Sequence, residues 1–199
     1  MVAQTAIVGL EAGQVKDAGN ALGRADDPAA VYILPDDATR LEPLSEFFTQ
    51  AARYASLFGN PFTTGGKVEG AGLWLPPGEW EMPEERMAEA GLDPSVFGED
   101  GAERFGNMFG HLETLHLHEP HWYLFILGVD PPRQGQGLGG ALMAPVLARA
   151  DAEGLPCYLE TMKTRNVPFY QKHGFEVVVE DDVPGGGLHF WTMKRSPRK

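Results

Sequence analysis

The densest chemistry in this 199-residue chain is a run of glycines, Gln134-Gly135-Gln136-Gly137-Leu138-Gly139-Gly140, set between an apolar stretch and a helix-periodic one. Glycines at a strand-to-helix junction let backbone N–H groups face outward unobstructed, and the positive end of the helix macrodipole adds to them. The natural guest of such a loop is a pyrophosphate. Gly135, Gly137 and Gly140 satisfy the dinucleotide fingerprint, and Glu160 stands where a ribose-binding acid would be sought. The context contradicts that cofactor. Asp130-Pro-Pro-Arg-Gln separates the strand from the first glycine, and only about 60 residues follow the loop, too few for a second nucleotide-binding half. No Lys-Ser or Lys-Thr closes the glycines, which excludes a P-loop.

The elements around the loop are legible. His121-Trp-Tyr-Leu-Phe-Ile-Leu-Gly-Val is almost continuously apolar, the pattern of a strand buried on both faces, and Asp130-Pro-Pro ends it. From Gly137 the chain is helical, with Leu138, Leu142, Val146 and Arg149 on one side, and closes near Gly154; Pro145 removes a backbone hydrogen bond there and predicts a bend beyond the first turn. Pro156-Cys-Tyr-Leu-Glu is a second strand, so the unit implies two parallel strands joined by a right-handed crossover. A short helix over residues 167–173, capped by Gly174, leads to two strands, 175–180 and 188–193, joined antiparallel through Pro184-Gly-Gly-Gly.

Upstream, residues 40–58 carry one apolar stripe at steps of three and four, and residues 11–22 form a weaker helix containing Gly13 and Gly19. Asp26-Asp27-Pro and Pro35-Asp-Asp are turn-like, the Asp26–Asp27 pair being solvated or an attractant for a cation. Lys67-Val-Glu and residues 71–75 read as short strands around Gly70. Residues 80–101, rich in Pro, Glu and Gly, read as a variable insertion, and helical spacing returns over 102–117.

With 43% hydrophobic and 22% charged residues, the chain belongs to the globular class rather than the disordered one. A net charge of −12 argues against nucleic acid as a principal partner and is compatible with a cationic substrate. No apolar run is long enough to span a bilayer, and Met1-Val-Ala-Gln-Thr lacks the basic-then-apolar pattern of a leader, so a cytoplasmic protein without membrane partners is expected. Cys157, the sole cysteine, reads as a buried small hydrophobe. His116, His118 and His121 lack the spacing of a zinc site, and no metal is expected.

Taken together, Val129-Asp-Pro-Pro-Arg-Gln-Gly-Gln-Gly-Leu-Gly resembles the acetyl-CoA signature of GNAT acetyltransferases, with Gln134, Gly137 and Gly139 in its key positions. Arg165-Asn-Val-Pro-Phe-Tyr-Gln-Lys-His-Gly-Phe resembles the family's second signature. Within the family, His121-Trp-Tyr-Leu, Leu159-Glu-Thr and Asn166-Val-Pro-Phe-Tyr look closest to the puromycin N-acetyltransferase-like branch. The resemblance implies an α/β (α+β) single-domain fold over 1–199, a mixed central sheet splayed at a bulge with helices on both faces. Residues 1–119 would form the acceptor side and 120–199 the acetyl-CoA-binding core.

It also implies that the amides of Gln134, Gly135, Gln136, Gly137, Leu138 and Gly139, with Gly140 beside them, surround the pyrophosphate. Leu127 and Val129 would bond the pantetheine arm strand-fashion, Gly128 would supply the bulge, and Asn166 would bond the pantetheine amides or cap a helix. Tyr170 is the candidate general acid for the departing thiolate, against a core aromatic role. For the base, Glu160 competes with a structural ion pair for its place at a strand's C-terminal end. His121 is a second candidate, on the opposite end of its strand, and a water relay is a third. Trp74, Tyr54 and Phe48 are candidates for an aromatic acceptor pocket or for core.

The function expected is transfer of acetyl from acetyl-CoA to a primary amine of a small molecule by direct attack in a ternary complex. Acetylation of a protein or peptide amine and a non-catalytic acyl-CoA-binding module are the alternatives. The exposed edge of the C-terminal strands admits a homodimer.

Overall fold

A computed structural model describes residues 5–25 and 27–198; residues 1–4, read above for a leader, and Asp26, read with Asp27 as an anionic pair, lie outside them. In chain order the elements are β1 (Ile7–Gly9), α1 (Val15–Gly23), α2 (Pro28–Ile33), α3 (Leu41–Phe58), β2 (Asn60–Thr64), β3 (Gly70–Leu75), α4 (Glu84–Ala90), α5 (Gly98–Thr114), β4 (Trp122–Val129), α6 (Leu138–Glu153), β5 (Cys157–Thr161), α7 (Asn166–Lys172), β6 (Glu176–Asp182) and β7 (His189–Arg195). The strands form one sheet in the order β1-β2-β3-β4-β5-β7-β6.

Strand alternation sorts the core into two layers. Leu73, Leu75, Tyr123 and Tyr158 pack with α1, α3 and α5 on one face. Trp74, Trp122, Leu124 and Leu159 pack with α6 and α7 on the other. The first layer is tight because α1 crosses α3 at glycine: a Cβ on Gly19 would stand 2.6 Å from the Thr49 backbone nitrogen. The glycine that weakens α1 as an isolated helix is therefore what lets it dock.

The crossover β4–α6–β5 is parallel as expected, and α6 remains a single helix through Pro145. Two expectations are corrected. Lys67-Val-Glu is a turn rather than a strand, and the strand paired with β3 is β2, disguised by Pro61 and two threonines. The hydroxyls of Thr63 and Thr64 donate to the carbonyls of Gly70 and Lys67, both at 2.8 Å, and so hold that turn. The Asp27-Pro stretch opens α2: Asp27 accepts the Ala29 N–H at 3.0 Å, and Pro28 takes the first helical position. The 80–101 segment, read from the sequence as a variable insertion, contains α4, a 3-10 turn and the start of α5. Its acidic first turns, Glu84-Glu85 and Glu99-Asp100, favour those helix N-termini.

Candidate active site

β4 and β5 are in register only at Trp122↔Cys157 and Tyr123↔Tyr158. Beyond Tyr123 the strands diverge, so β4 from Leu124 to Val129 is paired on its β3 side alone. A strand with one unpaired edge presents backbone N–H and C=O groups to whatever enters the gap. The irregularity in β4 falls at Phe125, opposite the Leu73–Trp74 step, and not at Gly128, which pairs regularly with Ala71. Gly128 is glycine for another reason: a Cβ there would meet Leu22 Cδ2 at 2.7 Å and Ala25 Cβ at 3.0 Å.

The end of β4 is held firmly. The Arg24 guanidinium donates to both Asp130 oxygens at 3.0 and 2.8 Å, a bidentate pair that also keeps the Asp130 carboxyl below its ordinary range. Gln134 donates its side-chain amide to the Val129 carbonyl at 2.9 Å, folding the glycine loop back against the strand, and Arg165 donates to the Gln134 amide oxygen at 3.2 Å. Gly135 and Gly137 have φ of 73° and 83°, and nothing lies where their Cβ atoms would be. These are the open, left-handed positions an anion-cradling turn needs.

Gly139 and Gly140 serve packing as well. A Cβ on Gly139 would stand 3.2 Å from the Phe169 ring, and one on Gly140 would stand 2.7 Å from the His173 ring. Leu138 sends its side chain into the core. Gln136 is exposed and bonds the Pro132 carbonyl.

A cavity of about 530 Å³ runs from this loop across β4 to the helices of the first layer. Leu127, Gly128, Val129, Gln134, Gly135, Gly139 and Asn166 line one part of it, and Tyr170 and Glu160 also face it. Asn166, the first residue of α7, donates to Thr161 Oγ1 at 3.2 Å and so ties α7 to the end of β5. Tyr170 is buried; burial first, and the Asp27 carboxylate second, push its phenol above the ordinary value. It therefore keeps its proton at neutral pH, as a proton donor must.

Glu160 is joined to two histidines. His116 Nδ1 lies 3.2 Å from Glu160 Oε1, and His116 Nε2 lies 3.0 Å from His121 Nε2. His121 Nδ1 lies 2.7 Å from the Glu119 carbonyl, which can only accept, so Nδ1 carries the hydrogen. Burial pushes His121 down to about 4, so its Nε2 is a lone pair that accepts from His116 Nε2–H. His116 Nδ1 is thereby turned toward the Glu160 carboxyl. The Trp80 ring stacks on His116 at 4.1 Å and 17°, and the phenols of Tyr123 and Tyr158, both raised chiefly by burial and then by the Glu160 charge, complete the surround.

The expected site residues are thus divided. Glu160, Tyr170, Asn166 and the glycine loop meet at one cavity, whereas His121 stands behind Glu160 and does not line it. Trp74 and Tyr54 are fully buried core, and of the proposed aromatic trio only Phe48 lines the cavity. His116 was missed. It follows the apolar stripe Phe105, Phe109, Leu112 at helical spacing, the one sequence signal that could have pointed to it.

The sequence model of the acetyltransferase (GNAT) family matches residues 65–175, more than half of the chain, and the protein belongs to that family. An uncharacterized N-acetyltransferase of Schizosaccharomyces pombe is 30% identical over 162 residues, covering 75% of this chain and 65% of its own length. A mycothiol acetyltransferase of Mycobacterium avium is 36% identical over 107 residues, 46% of this chain and 34% of that protein. This chain thus spans about two thirds of the first relative and a third of the second. Among solved structures, a Corynebacterium glutamicum protein titled histone acetyltransferase HPA2 and related acetyltransferase superposes with a TM-score of 0.71 at 22% identity, covering 98% of this chain and 97% of its own. That likeness carries the fold.

Proposed function

We propose that the protein transfers acetyl from acetyl-CoA to the primary amine of a small molecule, by direct attack with both substrates bound. The observation that carries this reading is the single cavity that joins an anion-cradling glycine loop, an unpaired strand edge, a protonated phenol and a buried carboxylate. Gly135 and Gly137 fit a pyrophosphate, with Lys163 and Arg165 of the cavity lining as cations, and the free edge of Leu127–Val129 fits an amide-bearing arm. When bound, acetyl-CoA supplies the activated acyl group.

Glu160 takes the proton from the attacking nitrogen, and Tyr170 gives its proton to the sulfur that leaves. His121 fixes the orientation of His116, and His116 Nδ1, 3.2 Å from Glu160 Oε1, holds that side chain in place. Placement beside the puromycin N-acetyltransferase-like branch is supported by the His121-Trp-Tyr-Leu and Asn166-Val-Pro-Phe-Tyr stretches. Among the described residues no helix is long and apolar enough to cross a membrane, which accords with a cytoplasmic site of action. The outer strand β6, with Val178 exposed, is the edge through which a homodimer would form.

The test is release of free CoA thiol from acetyl-CoA across a panel of amines, with Tyr170→Phe as control. Cys157 is buried and its thiol is pushed up to about 12, so the thiol reagent reports CoA and not the protein. Amine-dependent release that collapses in the variant supports the enzyme. Binding of acetyl-CoA with no turnover of any amine supports a non-catalytic acyl-CoA-binding module, turnover of lysine peptides alone supports protein acetylation, and absence of binding overturns the reading of the loop.

A further inference from the structure

The half of the cavity beyond Glu160 has one chemistry. Every residue that α3 and α5 contribute to its lining is apolar, and five phenylalanines, Phe47, Phe48, Phe97, Phe105 and Phe109, form most of the wall. Their rings support one another: Phe47 and Phe105 are 5.2 Å apart, and Phe105 and Phe109 stack at 5.5 Å and 11°. Phe109 and Leu112 also border the small space beside His116, Tyr123 and Glu160, where the exposed Glu113 at the last turn of α5 is the one further carboxylate, on the side of Glu160 away from Phe105 along the helix. The stripe therefore begins at the carboxylate and leads away from it along α5. From Leu112 to Phe105 is two turns of helix, about 10 Å. The other ionisable residues of the lining lie elsewhere. Lys163 and Arg165 belong to the segment that meets the glycine loop, and Asp27, which caps α2, acts on Tyr170.

We propose, building on the acetyltransferase reading above, that the acceptor is a monoamine carried on an apolar body. An aryl or branched alkyl group lies along Phe105 and Phe109, and a short aliphatic linker brings its nitrogen to Glu160. A polyamine or agmatine would set a second cation against rings that offer no carboxylate, and cation–π attraction to phenylalanine restores only part of the lost hydration. An aminosugar would bury hydroxyls against a wall without hydrogen-bonding partners. The α3–α5 wall thus acts as the specificity determinant, while Glu160 reads the nitrogen.

The experiment compares kcat/KM for 2-phenylethylamine, tryptamine and isoamylamine with that for agmatine, spermidine and glucosamine, with acetyl-CoA binding followed separately by calorimetry. Moving one phenyl-sized surface out of water corresponds to a preference of about 50-fold, which is the advantage expected for the aryl amines over agmatine. Phe105→Asp places a carboxylate at the far end of the chamber; it should shrink that ratio at least tenfold and leave the KM for acetyl-CoA unchanged. Phe109→Leu, a conservative change that preserves the fold, should raise the KM for the aryl amines several-fold. Agmatine or spermidine outperforming the aryl amines in the unmodified protein overturns the inference and leaves the acetyltransferase reading intact. So does acetyl-CoA binding with turnover of none of the apolar amines. Failure of acetyl-CoA to bind overturns both.

Discussion

Gly128 of β4 lies directly beneath Leu22 of α1, so close that a single methyl group at position 128 would come within 2.7 Å of the Leu22 side chain. The contact sets the height of α1 over the strand edge that faces the cavity, and the Arg24–Asp130 pair pins the same helix end. A Gly128→Val variant must therefore lift α1 or push β4 into the slot. The expected result is a loss of about 1–3 kcal/mol in stability, the usual range for overpacking, together with a raised KM for acetyl-CoA. Leu22→Ala in the same chain should recover part of both, measured by denaturant unfolding and initial rates.

Tyr170→Phe keeps the ring that packs on Phe169 and Phe175 and removes only the hydroxyl. The fold should be retained, and kcat should fall by about 10²-fold or more, the scale of a lost general acid, with KM for the amine little changed. Because the phenol is raised above its ordinary value, no alkaline fall in kcat assignable to Tyr170 is expected below about pH 10.

Glu160→Gln removes the proposed base but keeps the shape. Its kcat at neutral pH should drop by about 10²–10⁴-fold and then climb with pH as the free amine becomes available in solution. His116→Phe leaves Glu160 without its hydrogen-bond partner at 3.2 Å, so kcat should fall about tenfold while the KM for acetyl-CoA stays unchanged. An unmoved kcat in His116→Phe would assign that histidine to packing alone.

His121 governs acid stability. Its folded value of about 4 lies below the ordinary 6.5, so between those two the unfolded chain binds more protons and stability rises with pH. The contribution, about 3 kcal/mol when complete, is present above pH 6.5 and is lost as the pH falls toward 4. His173, lowered chiefly by its burial, acts in the same direction. Thermal midpoints recorded from pH 7 to pH 4 should decline over this window, and His121→Asn should flatten the curve. Carboxylates such as Asp151, lowered by its Arg195 hydrogen bonds, act only at lower pH.

What the sequence determined by itself is local in the chain. The glycine loop, the parallel crossover around it, α7 and Tyr170 all lie within residues 121–174, where apolar runs, caps and glycine spacing act between near neighbours. Short elements escaped where side chains masked the pattern, as at Pro61 in β2 and Pro28 in α2, because strand and helix ends depend on partners the local pattern does not name. The tertiary structure alone decided the rest. His116 meets Glu160 across 44 residues of sequence, and Phe47 meets Phe105 across two helices, contacts that arise only when α3 and α5 are laid on the same face of the sheet. It also decided that Trp74 and Tyr54 are core while Phe48 faces the cavity, and that the bulge sits at Phe125. An aromatic or a histidine has the same local preferences in a core as in a site, and only the packing of distant segments separates the two.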